Sequence, residues 1–229
     1  MAELDCAGKT TREINAAIRR FIEAGEAEIR VRNPDGRHNL AVALLKPVRL
    51  IFDGSVGYYC GGMGDGPAIT VHGTAGWGLA ECLMSGTVVV HGNAGNGAGA
   101  SLLGGEVVVR GDAAARAGIA MKGGLLLIEG SCGYMTGFMM QRGAIIVCGD
   151  AGEALADSMY EGTVYVGGRI AELGNDAVVH EPTAEERGFV AAACARHGIA
   201  PPPRLQKIVA GRRLWNFDKK EFELWKAAL

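Results

Sequence analysis

Glycine recurs at a constant step of 19 residues through the middle of the chain, and this repeat limits the possible folds more than any other feature. One register of the repeat comprises Gly54, Gly73, Gly92, Gly111, Gly130, Gly149 and Gly168. A second register keeps the same step at Gly86, Gly105, Gly124, Gly143 and Gly162. A period this short predicts a solenoid, because repeats built from helix pairs need roughly 33 to 47 residues and tolerate glycine poorly.

Each unit of the repeat opens with a short apolar run that ends at the first glycine register. The units begin at Arg49, Ala68, Thr87, Glu106, Leu125, Ala144 and Thr163, and positions are counted from these residues. Positions two and four are apolar in every unit, and the runs are rich in β-branched residues. Alternate residues of a strand share a face, so both positions are expected to point inward. We expect the glycine after each run to allow an unusual φ at a corner.

These features predict an all-β solenoid, namely a right-handed parallel β-helix of about seven 19-residue coils over residues 49–181. A further inward column at position 16 comprises Leu83, Leu102, Met121, Met140 and Met159. Stacked methionines are more often flexible core packing than cofactor or metal ligands. We therefore assign this column to the core.

Two outward columns carry the chemistry that the repeat offers. Position five comprises Asp53, His72, His91, Arg110, Glu129, Cys148 and Gly167, and a solvated polar ladder is the favoured interpretation. His72 and His91 are a possible metal pair or general base, but the column has no third ligand beside them. Position three comprises Ile51, Thr70, Val89, Val108, Leu127, Ile146 and Tyr165. Because this outward column is mostly apolar, either the chain's own terminal segments or another subunit must cover it.

The segments that flank the repeat differ from it in composition. In residues 1–48, a capping box at Thr10 and Glu13 predicts a helix that ends at Gly25, followed by a strand over 26–31, and we expect both to cap the first coil. In residues 182–229, Thr183 starts a second helix that ends near Gly198. The tail beyond it holds aromatic residues that we predict to bind a partner, although docking onto this chain's own apolar column is an alternative. These residues are Trp215, Phe217, Phe222 and Trp225.

The composition excludes several classes of function. The net charge of −2 gives no general attraction for nucleic acid or anionic lipid. The chain has no long apolar span and no signal-peptide pattern, which favours a cytoplasmic protein. Six cysteines without a CxxC pair are expected to be reduced and buried. No motif combines a nucleophile, a base and an orienting group, so we assign no catalytic, cofactor-binding or metal-binding residue to this chain.

One stretch of the repeat, residues 130–168, resembles the GxGxG β-helix domain that closes the large subunit of glutamate synthase. The family's YMTGG-like segment corresponds to Tyr134, Met135, Thr136 and Gly137, with Phe138 in place of the last glycine. Its later strand and small-residue run correspond to residues 145–149 and 158–162. As a free-standing chain with this amino-terminal segment and arm, the sequence is most similar to the B-subunit family of N-methylglutamate synthase, or methylamine–glutamate N-methyltransferase.

The resemblance implies a non-catalytic scaffold subunit in a hetero-oligomer. The partners would be a glutamine-amidotransferase-like subunit and a synthase-like subunit that carries FMN and an iron–sulfur cluster. Alternatives from the same domain family are the GxGxG-type subunit of a formylmethanofuran dehydrogenase complex and a free-standing GxGxG domain for ammonia assimilation. A β-helix enzyme acting on polysaccharide is disfavoured, because the only outward carboxylates of position five, Asp53 and Glu129, lie four coils apart.

Overall fold

The structure is a computed structural model, and it describes residues 1–211. In this part of the chain, 11 strands form one sheet in the order β1-β2-β3-β4-β5-β6-β7-β8-β9-β11-β10. The elements are β1 (Ala2–Asp5), α1 (Thr11–Glu23), β2 (Glu28–Arg32), β3 (Arg49–Asp53), β4 (Asp65–Val71), β5 (Ser85–Val90), β6 (Glu106–Val109), β7 (Lys122–Ile128), β8 (Arg142–Val147), β9 (Thr163–Val166), β10 (Ala177–His180), α2 (Ala184–Arg196) and β11 (Gln206–Ala210).

The strands β1 to β9 are parallel, and those of the repeat pair residues 19 apart. Leu50 is opposite Ile69, which is opposite Val88, and this register continues to Val164 in β9. A second column of single bridges joins position eight of successive coils, from Val56 to Ile170. The fold class is confirmed as a parallel β-solenoid of about seven turns, while its right-handed sense stays a prediction.

The interior of the solenoid is filled by the columns that the sequence placed inward. Every residue at positions two and four is buried, from Leu50 and Phe52 in β3 to Val164 and Val166 in β9. The position-16 column is buried as well, which confirms its assignment to the core. Because each fully buried aliphatic side chain contributes about 1.5–3 kcal/mol, several such side chains per coil account for the stability of the stack.

The glycines of the two registers serve different purposes, and the sequence-based explanation of the first register was wrong. Gly54 is the only member of that register with φ in the left-handed region, at 136°. The other six are required by close approach between coils: a Cβ at Gly130 would lie 2.7 Å from the carbonyl oxygen of Gly111. The second register, at Gly86 and its equivalents, has φ between 73° and 101°. Those glycines adopt a backbone conformation that L side chains rarely take.

The amino-terminal segment closes the first coil, as predicted. Thr10 and Glu13 form the capping box of α1, and Ile14 and Ile18 on its inner face are fully buried. The amide of Asn15 donates to the carbonyl of residue 39 at 2.7 Å and accepts from the backbone N–H of residue 41 at 2.9 Å. The helix therefore satisfies backbone groups that an open solenoid end would leave unpaired. The strand predicted at 26–31 is β2, and it pairs with β1, which had not been predicted.

The carboxyl-terminal end of the solenoid is closed by antiparallel strands that the sequence had not indicated. β11 pairs with β9 through Ile208 opposite Val164, and β10 then pairs with β11. The helix predicted from Thr183 is α2, and its capping box with Glu186 is present. No helix among residues 1–211 is long and apolar enough to cross a membrane.

The Gly130→Ala substitution tests the close approach between coils. We expect the free energy of unfolding to fall by about 1–3 kcal/mol, because the added methyl group meets backbone atoms that have no room to move. Gly188→Ala is the matched control: Gly188 lies in α2 with nothing within 4 Å of its Cβ position, so alanine should raise stability by about 0.5–1 kcal/mol. Urea unfolding followed by circular dichroism measures both. Equal effects of the two substitutions would show that stacking distance does not select glycine.

Candidate interaction surface

Helix α2 covers the second half of the outward apolar column at position three. Val108, Leu127 and Ile146 are fully buried although their side chains point away from the solenoid interior. They form a second hydrophobic cluster with Val190 and Cys194 of α2. The sequence left open whether a terminal segment or another subunit covers this column. For this half, the chain's own carboxyl-terminal helix provides the cover.

The first half of the same column lies beyond the carboxyl-terminal end of α2. Ile51, Thr70 and Val89 are half-buried there. Val89 packs against the edge of the cluster under α2. This shorter apolar strip is therefore a surface that the described part of the chain leaves partly open.

The position-five column is an ordered ladder of polar contacts. Asp53 accepts two hydrogen bonds from the guanidinium of Arg30, at 2.5 and 3.0 Å, and lies 3.4 Å from Nδ1 of His72. The Arg30 hydrogen bond is the main reason why the pKa of Asp53 lies below its usual value, against the opposing effect of burial. Asp53 is consequently an ionised partner for its neighbours rather than a candidate acid.

The two histidines of the column are neighbours, as the repeat predicted. The rings of His72 and His91 meet edge to face with centroids 5.1 Å apart. Desolvation, followed by the charges of His72 and Arg110, lowers the pKa of His91. Within residues 1–211, no group of three His, Cys, Asp or Glu side chains is arranged to hold a metal ion. The geometry supports a packed pair of rings.

The carboxyl-terminal end of α2 is fixed to the solenoid by charged side chains from two coils. Arg110 donates to the carbonyl oxygen of His197, and its guanidinium lies 3.5 Å from Glu129, which confirms the predicted ion pair. Glu106 pairs with Arg196 at 2.6 Å and with Nε2 of His197 at 2.7 Å. Burial raises the pKa of Glu106, but the hydrogen bonds from His197 and Arg196 outweigh it and leave that pKa lowered.

The cysteines contain no disulfide, and most are enclosed in the core. All six are free thiols, and Cys6, Cys60, Cys132 and Cys194 are buried. The thiols of Cys148 and Cys194 are hydrogen-bond partners across the interface between the solenoid and α2, and this contact together with burial raises the pKa of Cys148. The contact adds a further link that holds the helix against the coil.

The motif that carries the family resemblance forms an outer corner of the fifth coil. Tyr134 is exposed, and Met135 follows with φ of 57°. Thr136 is fully buried and its hydroxyl donates to the carbonyl oxygen of Gly133 at 3.1 Å. Gly137 lies inside, where a Cβ would be 3.3 Å from a methyl group of Val164. The segment thus turns the chain inward while it leaves one aromatic ring outside.

A ladder of stacked rings lies at position ten of the repeat and continues to His38 ahead of the first coil. The rings of His38 and Tyr58 stack with centroids 4.3 Å apart, and those of Tyr58 and Trp77 with centroids 5.2 Å apart. The ladder then stops, because Asn96 and Ala115 occupy the next two rungs. Its signal in the sequence is the spacing of Tyr58, Trp77 and Tyr134 in steps of 19, which was not recognised as a surface feature.

The interruption of the ladder leaves an open groove of about 390 Å³. Tyr59 and Trp77 line one side, Arg116 and Tyr134 line the other, and Glu81 also reaches it. Three of its aromatic side chains are unusually exposed: 54% for Trp77 and 47% for both Tyr59 and Tyr134. Exposed aromatic residues grouped in this way are typical of a binding surface.

The aromatic residues predicted to bind a partner, Trp215, Phe217, Phe222 and Trp225, lie outside the described residues. Their predicted role stays a prediction. The predicted absence of catalytic, cofactor-binding and metal-binding residues is likewise an expectation from the sequence.

Comparison with known proteins gives one partial sequence match and a likeness in fold. No protein-family model matches the chain. Protein GlxC of Rhizobium meliloti (strain 1021) is 44% identical over 89 residues, which are 38% of this chain and 39% of GlxC. The match therefore spans well under half of either protein.

The fold likeness extends over most of the chain. A chain in the crystal structure of the formyltransferase/hydrolase complex (FhcABCD) from Methylorubrum extorquens, in complex with methylofuran, superposes with a TM-score of 0.68. The superposition covers 88% of this chain and 86% of that chain, at 22% sequence identity. At that identity, the likeness establishes a shared fold.

The Glu106→Gln substitution tests how α2 is held. At pH 7 we expect a loss of about 1 kcal/mol in the free energy of unfolding, because Arg196 and His197 lose a charged acceptor. The pKa of Glu106 is lowered by folding, so its contribution is full above the unfolded-state pKa and is lost as the pH falls through the folded-state pKa. The gap between wild type and variant should therefore close on acidification.

Urea unfolding at a series of pH values measures this gap. The matched control is Glu161→Gln, because Glu161 makes only a 4.0 Å contact with exposed Arg142 and its removal should cost less than about 0.5 kcal/mol. A gap for Glu106→Gln that stays constant from neutral pH to pH 3 would contradict the assigned role of the ionised carboxylate.

Proposed function

We propose that this chain is the non-catalytic scaffold subunit of a glutamate-synthase-like complex, most specifically of N-methylglutamate synthase, which forms N-methylglutamate and ammonia from methylamine and glutamate. In this proposal the chain holds a glutamine-amidotransferase-like subunit and a synthase-like subunit at a fixed separation, in the cytoplasm. FMN and the iron–sulfur cluster belong to the synthase-like subunit.

The observation that carries the proposal is the uninterrupted stack of coils. Nine parallel strands, β1 to β9, follow one another in the sheet order without a break, so the stack extends about 38 Å at ~4.8 Å per step. Both ends are closed, by α1 at one end and by β10 and β11 at the other. A rod of this kind transmits little bending between its ends and is suited to setting a distance between partners.

The resemblance of residues 130–168 to the GxGxG domain supports the glutamate-synthase-like part of the proposal. The polar ladder of position five supports a structural role, because Asp53, Arg110 and Glu129 are engaged in contacts with other residues of the chain. The fold likeness to a chain of a multi-subunit complex supports the assignment to a hetero-oligomer.

A second candidate function is a scaffold subunit in a complex that handles formyl groups. The observation in its favour is the fold likeness to the formyltransferase/hydrolase complex, which extends over most of both chains. Both candidates assign the same mechanical role to the solenoid. They differ in the subunits that the solenoid holds.

Isolation of the tagged chain from its own organism distinguishes the two candidates. We expect an amidotransferase-like and a flavin-containing subunit to copurify, with FMN and iron–sulfur absorbance, and the complex should form N-methylglutamate from methylamine and glutamate. The chain produced alone should show neither absorbance nor turnover, which serves as the control. Copurification of formyltransferase or hydrolase subunits instead would favour the second candidate, and flavin bound to the chain alone would refute the scaffold role.

The combined substitution of Trp215→Ala and Trp225→Ala tests the predicted docking tail. Exposed tryptophans are frequent hot spots of interfaces, so we expect the affinity for one of the copurifying subunits to fall at least tenfold. Lys219→Ala is the control, since a single charged residue at an interface rim contributes little. Size-exclusion chromatography with mass detection compares the three proteins. Unchanged affinity of the double variant would assign the tail to a contact within this chain.

A further inference from the structure

The groove at the interrupted ring ladder has the geometry of a site that lacks its occupant. Trp77 stacks on Tyr58 through one face only, and the next rung on its other side is Asn96. Two rungs are without a large side chain before Tyr134 follows, which is three coil steps or about 14 Å from Trp77 along the axis. This width admits a polypeptide segment that crosses the solenoid.

The floor of the groove is open down to the backbone. Gly97 has φ of 71°, and a Cβ placed on it would have no atom closer than 3.8 Å. On the Trp77 side, a Cβ at Gly78 would lie 2.7 Å from the ring of Tyr59 and 3.0 Å from a carboxylate oxygen of Glu81. The ring of Tyr59 and the carboxylate of Glu81 therefore converge on the same point beside Trp77.

The charged residues of the groove lack partners among residues 1–211. Ion pairs occur throughout this part of the chain, yet neither Glu81 nor Arg116 takes part in one. Glu81 is half-buried, so its carboxylate is partly removed from water without a compensating cation. The two charges stand two coils apart, about 10 Å along the axis, with opposite signs.

We propose that this groove receives a polypeptide segment of one of the two catalytic subunits, and that a basic side chain of the segment lies against Trp77 and pairs with Glu81. The name of the partner rests on the proposed function, whereas its chemistry rests on the groove. A guanidinium or ammonium group satisfies both the open indole face and the carboxylate. An acidic side chain of the same segment pairs with Arg116 on the other side.

The Ala115→Trp substitution fills the groove and tests the proposal. The ladder accepts aromatic rings at this position in other coils, so the variant should fold with a melting temperature close to that of the wild type. Glu81→Arg reverses the central charge and is the second, independent variant. Glu172→Arg is the matched control: it makes the same charge change in a later coil, on an exposed residue that does not line the groove.

Each tagged variant is isolated from its own organism with its bound subunits, and the affinity for each subunit is measured by mass photometry on dilution. We expect Ala115→Trp and Glu81→Arg to weaken the same subunit at least tenfold, and Glu172→Arg to change affinity less than twofold. A photoreactive p-benzoylphenylalanine placed at position 115 should cross-link to a peptide of that subunit with a lysine or arginine close to the attachment point.

The outcomes separate the groove from the proposed function. If both variants retain every subunit at wild-type affinity, or if position 115 cross-links to a second copy of this chain, the groove assignment is overturned. If the subunit that is lost and cross-linked belongs to a formyl-transferring complex, the groove assignment stands and the N-methylglutamate synthase proposal fails. A wild-type chain that is isolated with no other subunit overturns both.

Discussion

The close approach of successive coils is the constraint on which the whole structure depends. Each coil lies at strand-pairing distance from the next, and even at the outer corners the backbone N–H groups donate to the neighbouring coil, as Ala80 does to Cys60 at 2.8 Å. This spacing leaves no room for a Cβ where Gly130 passes over Gly111. It also makes every position of the repeat a column of nearly equivalent environments. Methionines stack in the core and rings stack at the surface for the same reason.

The sequence predicted what this equivalence imposes and missed what it does not. The step of 19 gave the strand register from Leu50 to Val164, and the capping boxes gave the starts of α1 and α2, because both signals are local or periodic. The position of α2 was not predictable. Its contact with Arg110 joins residues 87 apart, and no periodic signal relates the two. The antiparallel strands β10 and β11 were missed for the same reason, since they lie outside the repeat.

The candidate groove shows the limit of the sequence in another way. Its aromatic residues were visible as a spacing, but a spacing does not distinguish a stacked ladder from an open one. Only the exposed fraction of Trp77 and the absence of an ion pair at Glu81 within the described residues give the interruption at Asn96 and Ala115 a meaning. Both are properties of three-dimensional neighbours. The reason for the first glycine register was inaccessible for the same cause, because a close contact between coils leaves no trace in φ preferences.

The closed ends of the rod determine how it is able to act. An open parallel sheet would expose unpaired backbone groups at each end and invite growth by addition of further strands. Here α1 hydrogen-bonds to the first coil, and β11 runs antiparallel to β9. Lateral surfaces therefore remain for partners, and α2 already occupies part of one of them. Because lateral sites lie on coils, the distance between any two docked partners is a whole number of coil steps of ~4.8 Å. A scaffold of this design sets the separation of its partners by the number of coils between them.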